Sequence, residues 1–592
     1  MKRNFLTALS LSVVMVGGMV ANAAAADITF GGQLRPRFEV FEQNDFNDTT
    51  NPTYIMSTRI RLNVNAKIND KTSAFIQMQA RGVYGAGGSG ITAGGIPAPL
   101  HGDRNAASPS DGVTDVGLHQ AYFILNDFFG APVDLKFGRQ EIVLDGHRLF
   151  GNTGWTQGAQ THDAIRLDHH HGEHSISYMF IKGTETTGAG PTTIGANAGA
   201  PALGGAAPGG LIFGLGGCGA GVDIDDDCDR NDHVVHANLK GILGGALSLY
   251  FVATDDNSFN APLALTAGGL TPGSALPGSG LNMDNDMYTI GLRQAGQLYG
   301  IDYRLEGYYQ FGEAEGVAAT SAAAGTSIIG GAPLGTATAF STALTTAAGT
   351  AANPLNARLT TASATGLTQL ANYGAGGTSG VDRGAYMFGA RIGKTFSNVM
   401  WKPSFTLWYD HLSGTDLDDV ADNDWSSFDT LYDTGHKFYG FMDLYLNPNG
   451  ADTSYLGLQD LAAKMSIKPM ANLTLKADIH AMWTETDISD DLNDLGIANA
   501  TTAVTALGAV GGLAAGNTTV VGDLDSHLGE ELDLTAVYKY NPNTTISVGY
   551  SHFWADDTFH FVNNRNTPVG IAPNTTNDDD ASWAYVQFDV KF

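Results

Sequence analysis

Arginines and lysines recur at every second position in several stretches of this chain, a spacing that puts them on one face of extended backbone. Arg35 and Arg37 lead to Glu39, and Arg59 and Arg61 lead at the same parity to Lys67. Arg81, Lys136, Arg166, Arg293, Arg304 with Glu306, Arg391, Lys402, Lys464, Lys476 and Lys539 sit in segments of the same kind. A guanidinium can hold a carboxylate through two parallel N–H bonds, and fixed positive charge in a narrow passage replaces part of an anion's hydration shell. The chemistry these residues offer is the holding and passing of anions. Carboxylates at the same parity are fewer: Glu39, Asp134, Asp302, Glu306, Asp410, Asp460, Asp478, Glu531 and Asp533. The opposing expectation is pairing along the wall, for which Arg35, Arg37 and Glu39 on one face, and Arg304 with Glu306, are suitably spaced.

Other chemistry finds little support. There is no GxSxG turn to present a nucleophilic serine, and no spacing of His and Asp points to catalysis, so an enzyme is not expected. The two GxGxxG matches, at 85–90 and 214–219, open no helix after a buried strand. Asp223, Asp225 and Asp227 have the first ligand spacings of a calcium loop. Cys228 replaces the glycine and Val234 the twelfth-position glutamate, which rejects an EF-hand and leaves at most a loosely held calcium. The histidines at 169–171 and 174 can ligate a transition metal, but they fall at a short turn where solvated imidazoles are expected. Cys218 and Cys228 are the only cysteines; in an exported chain they are expected to form one local disulfide.

The elements that must position the charges are amphipathic strands. Ile28, Phe30, Leu34, Phe38 and Val40 lie opposite Thr29, Gln33, Arg35, Arg37 and Glu39; Ile60, Leu62 and Val64 lie opposite Arg59, Arg61 and Asn63. Roughly 9 to 14 residues is the length a tilted membrane strand needs, and about eighteen such segments occur. They run 28–41, 54–68, 74–83, 116–126, 132–143, 162–170, 174–182, 232–240, 246–254, 284–295, 298–311, 384–396, 400–411, 456–468, 472–484, 529–540, 544–555 and 582–592. In the last, Ala584, Val586, Phe588, Val590 and Phe592 face away from Trp583, Tyr585, Gln587, Asp589 and Lys591. Short links such as 69–71, 241–245, 397–399 and 541–543 tend to alternate with long ones at 85–115, 183–231, 312–383, 412–455, 485–528 and 556–581. In lipid every backbone polar group needs a partner within the protein, so strands must close on themselves. The expected fold is all-β: a single transmembrane antiparallel β-barrel of about 18 strands, with short periplasmic turns and long extracellular loops.

Lys2 and Arg3, the mostly apolar stretch 5–20 and the small residues 21–26 read as a signal peptide over 1–26, followed by the barrel domain over 27–592. No later stretch reaches the ~18 consecutive apolar residues of a membrane helix. The formal charge of −29 argues against nucleic acid as a partner. Acidic residues bunch at 223–232, 416–424, 487–494 and 578–580, in the loops, whereas many cations lie on strands. The Ala-, Thr- and Gly-rich stretch 317–378 reads as a poorly ordered external loop, with a lumen plug as the alternative.

Three stretches resemble the alginate export family of outer-membrane porins. The first is Gly138-Arg139-Gln140 with Leu144-Asp145-Gly146-His147-Arg148-Leu149, Gly151, Trp155 and Asp163. The second is Tyr409-Asp410-His411 with Ser413-Gly414, Phe428, Leu431-Tyr432, His436, Gly440 and Asp443. The third is Gly529-Glu530-Glu531-Leu532-Asp533 with Tyr538, Gly549-Tyr550 and His552-Phe553. The resemblance implies an eighteen-stranded barrel in the outer membrane of a Gram-negative bacterium and passage of an anionic polyuronate through a positive lumen. It also adds Arg139 and Arg148 to the lumen residues. Its acidic, glycine-rich loops set this chain apart from a simple polyanion exporter. The expected function is an outer-membrane channel for passive passage of small or polymeric anions. The alternative is a surface binding or adhesion barrel with a plugged lumen. Expected partners are outer-membrane lipid and lipopolysaccharide, and the barrel-assembly machinery, which would read the Phe592 face as an insertion signal.

Overall fold

The computed structural model describes residues 27–43, 51–84, 116–184, 230–256, 285–314, 381–415, 424–446, 456–487, 525–556 and 580–592, with a few isolated residues between them. Cys218, Cys228, Asp223, Asp225, Asp227, the stretch 317–378 and the segment 1–26 lie outside the described residues, apart from two short two-residue ladders within 317–378 and 265–270.

Eighteen strands make the wall of one closed antiparallel barrel. They are β1 (Asp27–Glu42), β2 (Thr53–Lys67), β3 (Thr72–Val83), β4 (Val116–Leu125), β5 (Val133–Gln140), β6 (His162–His171), β7 (His174–Thr184), β8 (Arg230–Ile242) and β9 (Gly245–Asp256). The circle continues through β10 (Asn285–Leu298), β11 (Ile301–Ala314), β12 (Val381–Thr395), β13 (Ser404–Leu412), β14 (Leu458–Met470), β15 (Leu473–Trp483), β16 (His527–Asn541), β17 (Thr544–Ala555) and β18 (Ala581–Lys591). Every strand pairs with its neighbours in sequence, and β18 returns to β1 with Glu42 opposite Ser582 and Gln33 opposite Lys591. Closure leaves no unpaired edge, which is what a hydrocarbon surrounding requires. Phe592 completes the seam, exchanging backbone bonds of 2.8 and 3.1 Å with Gly32. Its ring lies over Gly32, where any side chain would also press on the Arg61 carbonyl.

Period-two alternation sorts the faces as the sequence implies. Phe30, Leu34, Ile60, Leu62, Ile76, Leu305, Leu407 and Ile479 are exposed on the outside, while Arg35, Arg37, Glu39, Arg59, Asp460 and Asp533 are buried inside. The turns on one rim are tight: Ile68 N–H donates to Thr72 O at 3.0 Å, and Phe396 N–H to Pro403 O at 2.8 Å. That second turn corrects one expectation. Lys402, placed on a strand by the alternation, lies in the turn with φ 46° and is exposed, because β13 starts only at Ser404.

Two long connections on the opposite rim turn inward. Residues 141–161, between β5 and β6, cross the lumen. Residues 426–446 belong to the 412–455 connection, which the linker pattern assigns wholly to the outside. They fold into the barrel because they carry apolar side chains that water cannot cover: Phe428, Phe438, Tyr439, Leu444 and Tyr445 are all buried.

Candidate functional site

The two inward segments, here the first and second luminal loops, are sewn together along their backbones. Gly151 N–H donates to Tyr432 O at 2.8 Å, Tyr432 N–H to Leu149 O at 2.9 Å, and Thr434 N–H to His147 O at 3.1 Å. Thr434 Oγ1 also accepts from Thr153 N–H at 3.2 Å. A side chain at Gly151 would collide with Thr434, so this close crossing needs glycine.

Arg148 lies at the centre of the crossing with only 2% of its surface exposed. It donates to Asp410 on β13 and to Tyr439 Oη at 2.7 Å, stands 3.5 Å from Glu306 on β11, and covers the Phe438 ring at 3.7 Å. Burial alone would lower its pKa, but the surrounding Asp410, Tyr439 and Glu306 raise it, so it stays charged. Trp408 Nε1 also donates to Asp410 at 2.7 Å, whereas Arg148 Nε, Asp410 Oδ1 and Glu306 Oε1 are buried without a hydrogen-bond partner among the described residues, so the cluster is only partly satisfied. Arg304 and Arg391 share the same carboxylates: Arg304 is 3.0 Å from Glu306, and Arg391 is 3.6 Å from Asp410.

The first loop touches much of the wall. Asp145 accepts from Tyr250 Oη and lies 3.2 Å from His236 Nε2 and 3.7 Å from Arg293. Burial would raise this carboxyl, but bonds from His236, Ser248 and Tyr250 outweigh it and hold it well below the usual carboxylate range. Glu141 is 3.0 Å from His119 and 3.4 Å from Arg61, and accepts from Asn152 at 2.9 Å. Burial opposes its ionisation, yet His119, Asn152 and Arg61 bring it down to about 2.

Farther along, the loop's carbonyls meet the arginines of β1 and β2. Arg35 donates to the carbonyls of Gly154, Trp155 and Thr156 at 2.7–2.9 Å and to Gln157 Oε1 at 3.1 and 3.0 Å. Arg59 donates to Gly154 O at 3.3 Å, Thr156 O at 3.0 Å, and Gln33 Oε1 at 3.2 and 3.0 Å. In register, Arg35 stands opposite Arg59 and Arg59 opposite Arg81, so the arginines form a row across three strands. Arg37 pairs with Glu39 at 3.0 Å and covers the Trp155 ring at 4.2 Å. That ring stacks at 4.3 Å on His436 of the second loop, which in turn stacks on Phe441.

The second loop has its own anchor. Glu531 on β16 accepts the N–H groups of Phe441 at 2.5 Å and Met442 at 2.8 Å, and Gly440, with φ 87°, leaves room for its carboxylate. Tyr432 Oη donates to Asp232 on β8 at 2.5 Å, and Gln310 on β11 clasps the backbone of Asp429.

Most residues singled out from the sequence face inward, but much of their charge is engaged. Arg166 pairs with Asp168 at 2.8 Å and Lys464 with Asp478 at 3.3 Å; Lys67 pairs with Asp70 at 3.0 Å near a turn. Arg293 lies 3.9 Å from Glu306. Lys476 keeps the inward parity of Asp478 and is exposed. Arg139 differs: it shares the parity of outward-facing Phe137 and pairs with Asp163, on the outward parity of β6, so the structure places it on the outside of the wall rather than in the lumen. Two buried or half-buried inward arginines escaped the sequence reading. Arg383 has the same parity as Arg391 and was legible; Arg230, 5.3 Å over Tyr432, was masked by the acidic run before it. Lys437, on the second loop, gave no periodic signal.

The residues carrying the family resemblance are the ones that knit the loops: Arg148 to Asp410, Gly151 to Tyr432, Trp155 to His436, and Gly440 to Glu531. The family model for alginate export matches residues 26–181 and 233–568. The chain belongs to the alginate export family. It is accordingly an outer-membrane barrel of the channel-forming kind. No curated protein matches the chain significantly. Among solved structures, OccK8 (OprE) of Pseudomonas aeruginosa aligns at 8% identity over 96% of this chain and 98% of its own, with a TM-score of 0.44. OccAB4 of Acinetobacter baumannii aligns at 8% identity over 96% and 100%, with a TM-score of 0.45. OccAB1 of the same organism aligns at 11% identity over 96% and 99%, with a TM-score of 0.44.

Proposed function

We propose that this alginate export family member passes anionic solutes, small or polymeric, passively through its lumen without breaking a bond. One observation carries the reading: Arg35 and Arg59 are held by carbonyl and amide oxygens rather than by carboxylates. Neutral oxygens satisfy the guanidinium donors but leave the net charge in place, so this wall keeps a positive field that ion pairing would have cancelled. Anions are drawn to such a field most strongly where water is scarce and screening weak.

A second reading, a surface binding barrel with a closed lumen, is favoured by the packing of Arg148, Phe150, Phe428, Phe438 and Tyr439 into a buried core inside the barrel. Purified protein in planar bilayers under a potassium chloride gradient separates the two. A reversal potential on the anion side supports the proposal, and one on the cation side overturns it. Absence of any conductance from correctly folded barrels establishes the closed alternative.

A further inference from the structure

The outer face of the wall carries a charged row that neither the lumen nor the inward loops use. Arg139 on β5 stands opposite Asp163 on β6, and Asp163 stands opposite Lys182 on β7. All three share the outward parity: Phe137 and Tyr178 are exposed, whereas Ala164, Met179 and Ile181, at alternate positions, are buried. Arg139 donates from Nε to Asp163 Oδ1 at 2.8 Å and from Nη2 to Oδ2, so the carboxylate fixes the plane of the guanidinium. Two cations flank one acid, and the row keeps a net positive charge. Among the described strand residues in the half of the wall away from the tight turns, no other arginine or lysine has the outward parity.

The row also lies low on the barrel. Counting from the tight-turn rim, Val133, Leu135 and Phe137 precede Arg139 on the outer face of β5. On the outer face of β11, Ile301, Tyr303, Leu305, Gly307, Tyr309 and Phe311 precede the first charge, Glu313. At ~3.3 Å per residue and a tilt of ~40°, Arg139 stands about 15 Å above the rim and Glu313 about 30 Å. The apolar band of an outer-membrane barrel is about 25 Å tall, so an even bilayer would press hydrocarbon against Arg139, Asp163 and Lys182. The aromatic side chains that mark a membrane interface follow the same slope. Tyr178 and Phe180 lie just below Lys182, whereas Tyr288, Tyr309 and Phe311 lie below Asp286 and Glu313. Tyr178 Oη and His233 Nδ1, 2.8 Å apart, add a polar contact directly beneath the row. Charge facing hydrocarbon destabilises a barrel, so polar headgroups must reach lower on β5–β7 than on β10 and β11.

We propose that Arg139 and Lys182, with Asp163 orienting the guanidinium, bind a phosphate of lipopolysaccharide and draw the outer leaflet down over β5–β7. Neighbouring strands lie ~4.8 Å apart, so the two cations start about 10 Å apart at the backbone, a span that two long side chains can close around one phosphate. The guanidinium offers phosphate directed N–H donors, and the ammonium meets it as a point charge. Charge complementarity selects this sector. On β9 to β12 the outward positions above the apolar face are held by Asp255, Asp286, Glu313 and Asp382, which repel phosphate. The bound headgroup would also sit beside the root of the first luminal loop, which leaves the wall after Gln140, where Gln140 Nε2 donates to Ala164 O at 3.1 Å. The site is independent of what passes through the lumen.

The test titrates the full-length barrel in detergent with lipid A, the phosphorylated anchor of lipopolysaccharide, and with the same lipid after dephosphorylation, counting bound lipid by native mass spectrometry. Wild-type barrels are expected to retain the phosphorylated lipid and not the dephosphorylated one. Lys182→Glu should weaken retention at least tenfold while leaving the Arg139–Asp163 pair in place. Arg139→Gln combined with Asp163→Asn, which removes that pair without changing net charge, should do the same. Lys394→Glu, outward at the tight-turn end of β12, should leave retention unchanged. Heat-modifiable mobility on gels confirms that each variant folds. Undiminished retention by either folded variant of the row overturns the site, as does equal retention of the two lipids. Dimers of the wild-type barrel that Lys182→Glu abolishes and lipid A leaves untouched would also overturn it, showing that a second copy of the chain covers the row.

Discussion

His147 shows how single residues in the first luminal loop tie its docking to pH. Burial and the neighbouring Lys437 charge bring its pKa from the ordinary histidine value to about 4. The neutral ring suits its surroundings, with Nδ1 3.3 Å from Thr434 Oγ1 and Lys437 close by. With the loop docked the ring binds fewer protons than when it is free. Docking therefore strengthens with pH between about 4 and the free value near 6.5, and weakens as pH falls through that window. Glu141 and Asp145 act in the same direction at lower pH. Their docked carboxyls titrate well below free ones, so the stability they give is present above about 4.5 and is lost below it. All three groups oppose docking in acid, and none compensates for another. We expect the emission of Trp155, which is stacked on His436, to change between pH 7 and pH 4 while the barrel strands persist by far-ultraviolet circular dichroism. His147→Gln should remove the part of that change lying above pH 5. A pH-independent Trp155 signal, read in a variant lacking the other tryptophans, would show that the loop docks without these groups.

At the scale of elements, the strands were readable and the luminal loops were not, for one physical reason. A membrane strand is constrained by lipid on one side at every second residue, so periodicity alone places 544–555 on β17 and puts 54–68 within a residue of β2. Nothing periodic constrains a loop that folds into a lumen. The signals at 141–161 and 426–446 were isolated glycines and aromatics, Gly151, Trp155, Phe428, Tyr432 and Gly440, each meaningful only beside a partner far away in sequence. The fate of the arginine charges was hidden for a related reason. Arg35 and Arg59 are satisfied by backbone carbonyls, and every residue type has one. Gly440 offers a direct test of the loop's anchorage. Its φ of 87° disfavours any other residue by about 1 kcal/mol, and a methyl group there would press on the Glu531 carboxylate that holds Phe441 and Met442. Gly440→Ala is expected to give barrels of normal heat-modifiable mobility whose single-channel current is noisier than wild type. Gly384→Ala, with nothing nearer than Tyr309 Oη at 3.9 Å, should be silent. Quiet channels from Gly440→Ala would mean that the second loop does not depend on Glu531.

The chain as a whole separates its charge along the sequence. The formal total of −29 comes largely from acidic stretches between strands, whereas the lumen gathers the arginines of β1, β2, β3, β10, β11 and β12. The two populations act over different ranges. At physiological salt the screening length is about 8 Å, so a charge that stands in bulk water loses influence within a few residues' distance. Charges inside a protein wall are screened far less, because few counter-ions can approach them. On the anion-channel reading, selectivity is therefore set inside and capture is modulated outside. Arg61 and Arg293 are suited to testing this, since both retain some exposure to the lumen and each stands beside a first-loop carboxylate, Glu141 at 3.4 Å and Asp145 at 3.7 Å, whose negative charge their replacement leaves unopposed. Arg61→Gln with Arg293→Gln is expected to move the reversal potential toward zero at 0.15 M salt. Converting Asp416, Asp418 and Asp419 to Asn should leave it almost unmoved there and shift it at 0.01 M, where the screening length grows to about 30 Å. The comparison also bears on the negative rim as a barrier to polyanions, because rim control would appear as a large shift in the aspartate variant at both salt concentrations. If that variant moves the reversal potential more than the arginine variant does, ion choice is made at the mouth, and the luminal arginines serve only to hold the loops in place.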